Sequence, residues 1–177
     1  MDFIYKYAVV PHDLRGGRNA FTIFTAMFLH GGWMHIIGNM LYLWIFGENV
    51  ESEMGKMRFL FFYLACGTIA TLAQIYASFH SKIPQLGASG AIAGILAAHF
   101  RLFPKGKIAV LVPIFIFLRT FVIPAWLMIG FWVLLQVLEV NQSAATRETG
   151  GIAYFAHLGG FVAGFLLMPV FLGKKRK

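Results

Sequence analysis

Ser89 is the single hydroxyl in the run Gly87-Ala88-Ser89-Gly90-Ala91-Ile92-Ala93-Gly94, where almost nothing else has bulk. A serine among glycines can be reached from several directions, and the backbone beside it can approach a neighbour closely. His157 heads a second run of the same character, Ala156-His157-Leu158-Gly159-Gly160-Phe161-Val162-Ala163-Gly164. Serine with a neutral imidazole is a nucleophile with its general base, and no carboxylate is needed where packing fixes the ring. His35 and Asn39 are spaced i, i+4, on one face of a helix. Their ring and amide, with the Ser89 backbone N–H, are donors suited to an oxyanion, each worth about 3–4 kcal/mol in that role.

Each residue has a plainer competing reading. Gly90-xxx-Gly94 and Gly160-xxx-Gly164 are small-xxx-small seams for helix packing, whatever chemistry lies nearby. An intramembrane histidine such as His157 can cross-link helices by a hydrogen bond, and Asn39 can do the same. His30, His80 and His99 lie near interfaces or beside Arg101 and read as structural. Trp33, Trp44, Trp126 and Trp132 need no more than aromatic-belt or lipid-facing roles, and Glu48, Glu51 and Glu53 read as a solvated loop.

These residues need elements to position them, and composition says of what kind. The chain has 177 residues, 59% hydrophobic and only 12% charged, with a mean hydropathy of +0.72. Soluble domains carry about 25% charge, so the class is an integral membrane protein. The formal net charge of +8 could point to nucleic acid. The charges sit in short loops and at the tail, where they set orientation against anionic lipid instead. Cys66 is the only cysteine, which excludes an internal disulfide and a thiol–metal cluster. No cleavable signal peptide is evident, and no cofactor or metal is expected.

Residues 1–20 read as loop-like, with Pro11 and Gly16-Gly17 as breakers. Phe21 to His30 is half a bilayer long and reads as interfacial or re-entrant. Spans are expected at Trp33 to Phe46 (closed by the three glutamates), Leu60 to Phe79, Gly87 to Phe103, Pro124 to Val140 and Gly151 to Leu172. Ile108 to Val140 is too long for one ordinary span and too short for two, which need about 40 residues. Pro113, Arg119 and Pro124 break its first half, so Ile108 to Ile123 is expected to be extended or interfacial. The expected whole is an all-α bundle of about five transmembrane helices in one domain, 1–177. Within it, 1–32 form a first loop, 33–172 the bundle and 173–177 a basic tail. With one span in the ambiguous run, Lys56, Arg58, Arg101, Lys105, Lys107 and the tail share one face, cytoplasmic by the positive-inside rule. Ser89, His157, His35 and Asn39 then lie at one depth, roughly 5–10 Å below the opposite surface at 1.5 Å per residue. A polar group in hydrocarbon costs several kcal/mol unless satisfied, so their coincidence implies a shared water-accessible cavity.

At this point the chain resembles the rhomboid intramembrane serine proteases. Met27-Phe28-Leu29-His30-Gly31-Gly32-Trp33-Met34-His35-Ile36-Ile37-Gly38-Asn39-Met40 resembles the family's second-helix motif. Gly87-Ala88-Ser89-Gly90 resembles its nucleophile motif, and Ala156 to Gly164 its catalytic-histidine helix. The resemblance implies a Ser89–His157 dyad assisted at the oxyanion by His35 and Asn39, hydrolysing a peptide bond in or near a substrate's transmembrane helix. Substrates would be single-span membrane proteins admitted laterally past the helix at 124–140 and a flexible cap, Asn141 to Gly151. The implied location is the plasma or inner membrane, with a cytoplasmic C-terminus. Tyr5-Lys6-Tyr7-Ala8-Val9-Val10-Pro11 resembles the stretch after the family's first helix, so that helix is expected to be missing here. The family's Trp-Arg pair in the first loop is missing too, since Arg15 and Arg18 have no adjacent tryptophan. A non-catalytic rhomboid-like binder that escorts membrane helices is the alternative. A metal or proton pathway through His30, His35 and His157 is a third, with no His-Glu-x-x-His and no carboxylate in a span interior behind it.

Overall fold

The computed structural model describes residues 2–14, 19–114, 117–146 and 153–173. Its first segment is more ordered than breakers at Pro11 and Gly16-Gly17 imply. Asp2–Tyr7 is a short helix (α1), Pro11–Leu14 a 3-10 turn, and Thr22–Thr25 a helical turn (α2) running into a 3-10 turn over Ala26–Phe28. Trp33–Tyr42 (α3), a π-helical turn over Leu43–Gly47, and Glu48–Met54 (α4) then follow without a break. The glutamates therefore lie on helix and not in a loop, because Val50 and Met54, at i, i+4, bury into the core and carry the helix past them. Gly55, at φ +82°, ends it.

Lys56–Ala77 (α5), Ser89–Leu102 (α6), Ala125–Thr146 (α7) and Tyr154–Phe171 (α8) match four expected spans to within a few residues, except that α7 runs on. Residues 141–146 of the expected cap are thus helical, and the rest of it, 147–151, lies outside the described residues, as do tail residues 174–177. The all-α expectation is corrected between α6 and α7. Lys107–Ile114 (β1) and Phe117–Pro124 (β2) pair antiparallel, in register from Lys107↔Pro124 to Ile114↔Phe117. Extended backbone was expected there, but not a paired ribbon. Ile108 and Val110 opposite Ile123 and Phe121, with Val112, Thr120 and Val122 in the same ribbon, supply the β-branched and aromatic content of strands. Pro113 is tolerated because both strands of a two-stranded ribbon are edges.

Helix directions follow from which small residues meet. A Cβ built on Gly160 would collide with the Gly90 carbonyl, and one on Gly164 with the Gly94 backbone, so α6 and α8 run parallel. Gly90 faces Ala70 and Gly94 faces Cys66, so α5 runs antiparallel to both. Around this trio the core closes on Phe46, Phe62, Ile95, Leu96 and Ile129, all fully buried.

α5 and α8 are long and apolar enough to cross a membrane, and α6 and the stretch Ala125–Asn141 of α7 are shorter apolar helices. The core helix of a soluble protein would be mostly buried. Only 39% of the apolar window of α5 and 22% of that of α8 are buried. Trp33, Tyr76 and Val170 stand 83%, 90% and 77% exposed. So much exposed apolar surface on apolar helices belongs against hydrocarbon.

Candidate active site

Ser89 is the first residue of α6. Its position is fixed by the loop before it: Val9 and Gln85 exchange backbone hydrogen bonds of 2.9 and 2.7 Å, and the Gly87 N–H donates to the Ala26 carbonyl at 2.8 Å. Gly87 itself adopts φ +129°, which only glycine reaches without strain. At 14 residues α6 is about 21 Å long, shorter than the roughly 30 Å hydrocarbon layer of a bilayer. The first N–H groups of such a helix have no partner within it and form its positive end.

His157 lies in the first turn of α8, which α5 holds in place. The Ala156 N–H donates to Gln74 Oε1 at 3.1 Å, and Gln74 is otherwise buried beside Ser78. Because α6 and α8 are parallel and interlocked at Gly90/Gly160, their first turns are level, and His157 Nε2 stands 2.8 Å from Ser89 Oγ. The other ring nitrogen, Nδ1, is 2.7 Å from Gln136 Oε1 on α7. The Trp132 ring flanks the imidazole at 5.6 Å between centroids.

His35, near the start of α3, accepts a hydrogen bond at Nδ1 from the Gly31 N–H at 3.3 Å, which leaves Nε2 as the ring's donor. That side of the ring is close to Gly87: a Cβ there would lie 2.9 Å from His35 Nε2 and 3.7 Å from Ser89 Oγ. Asn39, one turn further along α3, is buried and its Nδ2 has no partner among the described residues. A cavity of about 30 Å³ lies beside the serine, its lining mixing Thr71, Gln74, Gln85 and Ser89 with apolar residues such as Val9 and Met27. A cavity of that size has room for a water.

The remaining histidines lie apart from this centre or at its edge. His99 is buried in α6 between Phe46 and Phe103. His30 meets His35 edge to face at 5.1 Å. Burial, and then the neighbouring His35, push the His30 imidazole below its ordinary pKa.

The chain has counterparts among known proteins. A model of the rhomboid domain matches residues 17–174. The chain belongs to the rhomboid family. It is similar to the yeast (Saccharomyces cerevisiae) protein "Rhomboid protein 1, mitochondrial", 30% identical over 93% of this chain and 45% of the relative. It is 31% identical to the Arabidopsis thaliana "RHOMBOID-like protein 1" over 85% of this chain and 34% of that protein. With the bovine (Bos taurus) "Presenilin-associated rhomboid-like protein, mitochondrial" it shares 35% identity over 51% of this chain and 25% of the relative. This rhomboid chain therefore spans less than half the length of these relatives. The family and the exposed apolar helices together make it a membrane protein.

Two polar residues at this rhomboid centre were not picked out from the sequence. Gln74 and Gln136 are both buried and each bonds the first turn of α8. The signal was available for Gln136. Over residues 125–141 of α7 the buried positions are Ala125, Ile129 and Gln136, a single stripe at i, i+4, i+11 in which glutamine is the polar member.

Proposed function

We propose that this chain is an intramembrane serine endopeptidase, and the observation that carries the reading is the 2.8 Å separation of Ser89 Oγ and His157 Nε2. In acylation, Ser89 Oγ attacks the carbonyl carbon of a peptide bond while its proton passes to His157 Nε2. The tetrahedral oxyanion is met by the Ser89 N–H, the His35 ring and the Asn39 amide, preorganised donors being worth most where water is excluded. The proton then moves from His157 to the leaving amine, the C–N bond breaks and an ester on Ser89 remains. A water, for which the cavity beside the serine has room, gives its proton to His157 and attacks the ester; as the adduct collapses, His157 passes that proton to Ser89 Oγ, which releases the acid and restores both residues. No cofactor takes part.

The same reading carries the finer organisation. The helical run α3–α4 and the helices α5, α6, α7 and α8 make five spans of one rhomboid domain, 1–177, with 1–32 as a first loop and 173–177 as a basic cytoplasmic tail. The dyad lies toward the non-cytoplasmic side of a plasma or inner membrane. Substrates are single-span membrane proteins that reach Ser89 laterally past α7.

The test is labelling by a fluorophosphonate and cleavage of a single-span reporter, both in proteoliposomes. Ser89→Ala is expected to abolish labelling and lower cleavage by at least about 10³-fold, with the thermal midpoint unchanged. Cleavage persisting in Ser89→Ala overturns the reading. Wild-type protein that neither labels nor cleaves, yet retains a reporter helix on co-purification, supports instead a non-catalytic protein that escorts membrane helices.

A further inference from the structure

Gln136 joins the centre from the helix least tied to it. Its amide makes two hydrogen bonds, and together they fix which way it faces. Nε2 donates to the Trp132 carbonyl at 3.3 Å, a group that can only accept. The oxygen is therefore the atom that faces His157 Nδ1 at 2.7 Å. An amide oxygen cannot donate, so His157 must carry its proton on Nδ1. The neutral ring then presents a lone pair at Nε2, the nitrogen 2.8 Å from the Ser89 hydroxyl. The nearest carboxylate on α7, Glu139, is engaged with Tyr154 and does not take this place. Among the described residues the Trp132 ring flanks the imidazole at 5.6 Å, and an indole supplies no acceptor to Nδ1.

We infer that Gln136 is a positioning residue that holds His157 in the Nδ1-protonated tautomer, so that the dyad is primed only while α7 is seated against α8. This deepens the hydrolase reading and rests on it for its catalytic consequence. The tautomer itself can be read without turnover. Ser89 and His157 stand on helices locked backbone to backbone, whereas Gln136 stands on α7, the side past which a substrate helix would arrive. A displacement of α7 that opens the 2.7 Å contact frees the ring to rotate or exchange tautomers, and with it the base is lost.

Two variants and one spectroscopic readout test this. Gln136→Met keeps length and removes the acceptor; Gln136→Glu keeps an acceptor oxygen at the same reach. In protein labelled with ¹⁵N-histidine, at about pH 8, the His157 signals are assigned by their loss in His157→Asn. The wild type is expected to show a protonated Nδ1 and an unprotonated Nε2, Gln136→Met a mixture or the reverse, and Gln136→Glu the wild-type pattern. In reporter cleavage, Gln136→Met is expected to lose about 10- to 100-fold in kcat with KM within about threefold, and Gln136→Glu to recover most of it. Wild-type kcat in Gln136→Met, or a wild-type protein whose Nδ1 is unprotonated, overturns the inference. The two failures separate. Fluorophosphonate labelling with the wrong tautomer leaves the hydrolase standing and removes Gln136, whereas the right tautomer without labelling does the opposite.

Discussion

The helices α6 and α8 meet backbone to backbone, with α5 packed on their glycines, whereas α7 meets the same bundle mainly through side chains, with Ala125, Ile129 and Gln136 buried and Met128 and Trp132 packed beside them. In the first region the residues at the contacts are Gly90, Gly94, Gly160, Gly164, Ala70 and Cys66, and there is no side-chain volume to rearrange. In the second, most of the helix is turned outward, with Trp126, Phe131, Leu134 and Leu138 exposed. The difference teaches how a membrane bundle divides labour. Hydrocarbon outside is as apolar as leucine inside, so close van der Waals contact, and not burial, distinguishes a fixed helix from a loosely held one. Ser89 and His157 stand on the closely packed pair, and Gln136, whose Oε1 lies 2.7 Å from His157 Nδ1, stands on α7.

The sharpest way to break the comparison is to put volume into the seam. Gly160→Val would drive a branched side chain into the Gly90 carbonyl. Neither helix can yield without separating Ser89 from His157. Stability is expected to fall by about 3 kcal/mol or more, at the upper end of overpacking costs, and reporter cleavage is expected to vanish. Thermal unfolding in detergent beside the cleavage assay reads both. A wild-type melting midpoint would mean that the seam is not held at backbone contact.

Gly87→Ala separates the site from the seam. The new Cβ would sit 2.9 Å from the His35 ring on a backbone at φ +129°, so strain and collision act together. The cost is expected to be about 1–3 kcal/mol, smaller than at Gly160, because a loop and one imidazole can shift where two packed backbones cannot. Activity is expected to fall further than stability, by about 10²-fold, since the displaced ring is the oxyanion donor of the proposed mechanism. Equal losses at Gly87 and Gly160 in the melting experiment would erase the distinction between loop and seam.

What could be read from the sequence divides along the same line. Glycines at i, i+4 on two apolar segments foretold a seam, because close approach needs small residues and nothing else does the same. The limits of α5, α6 and α8 followed from apolar runs and charged or proline-bearing ends. The helix through Glu48–Met54 was missed because charge marks where a membrane ends and says nothing of where a helix does; Val50 and Met54 decide that by packing. The strand pairing of 107–124 was missed because Pro113, Arg119 and Pro124 punctuate both an irregular segment and an edge ribbon. At the centre, Ser89, His157 and His35 stood out by type and by neighbouring glycines. Gln136 did not, since a lone glutamine in an apolar helix shows its purpose only when the facing helix is known.

The smallest expected effect is the most direct control on the comparison, because it exchanges like for like. Gly130 lies on α7, and a Cβ built there meets nothing within 4 Å, whereas the same atom on Gly160 meets backbone. Gly130→Ala therefore adds one methyl to an open helix face and removes a glycine from a helix interior. In water that exchange stabilises by about 0.5–1 kcal/mol, through lost backbone freedom in the unfolded chain. In a bilayer the unfolded helix already keeps its backbone bonds, so the gain is expected to be smaller and the melting midpoint nearly unchanged. Cleavage is expected to stay within about twofold of wild type, since Gln136 keeps its place on the buried stripe. A large loss in Gly130→Ala would show that α7 also relies on a backbone contact, and α7 would then belong with the helices it has been set against.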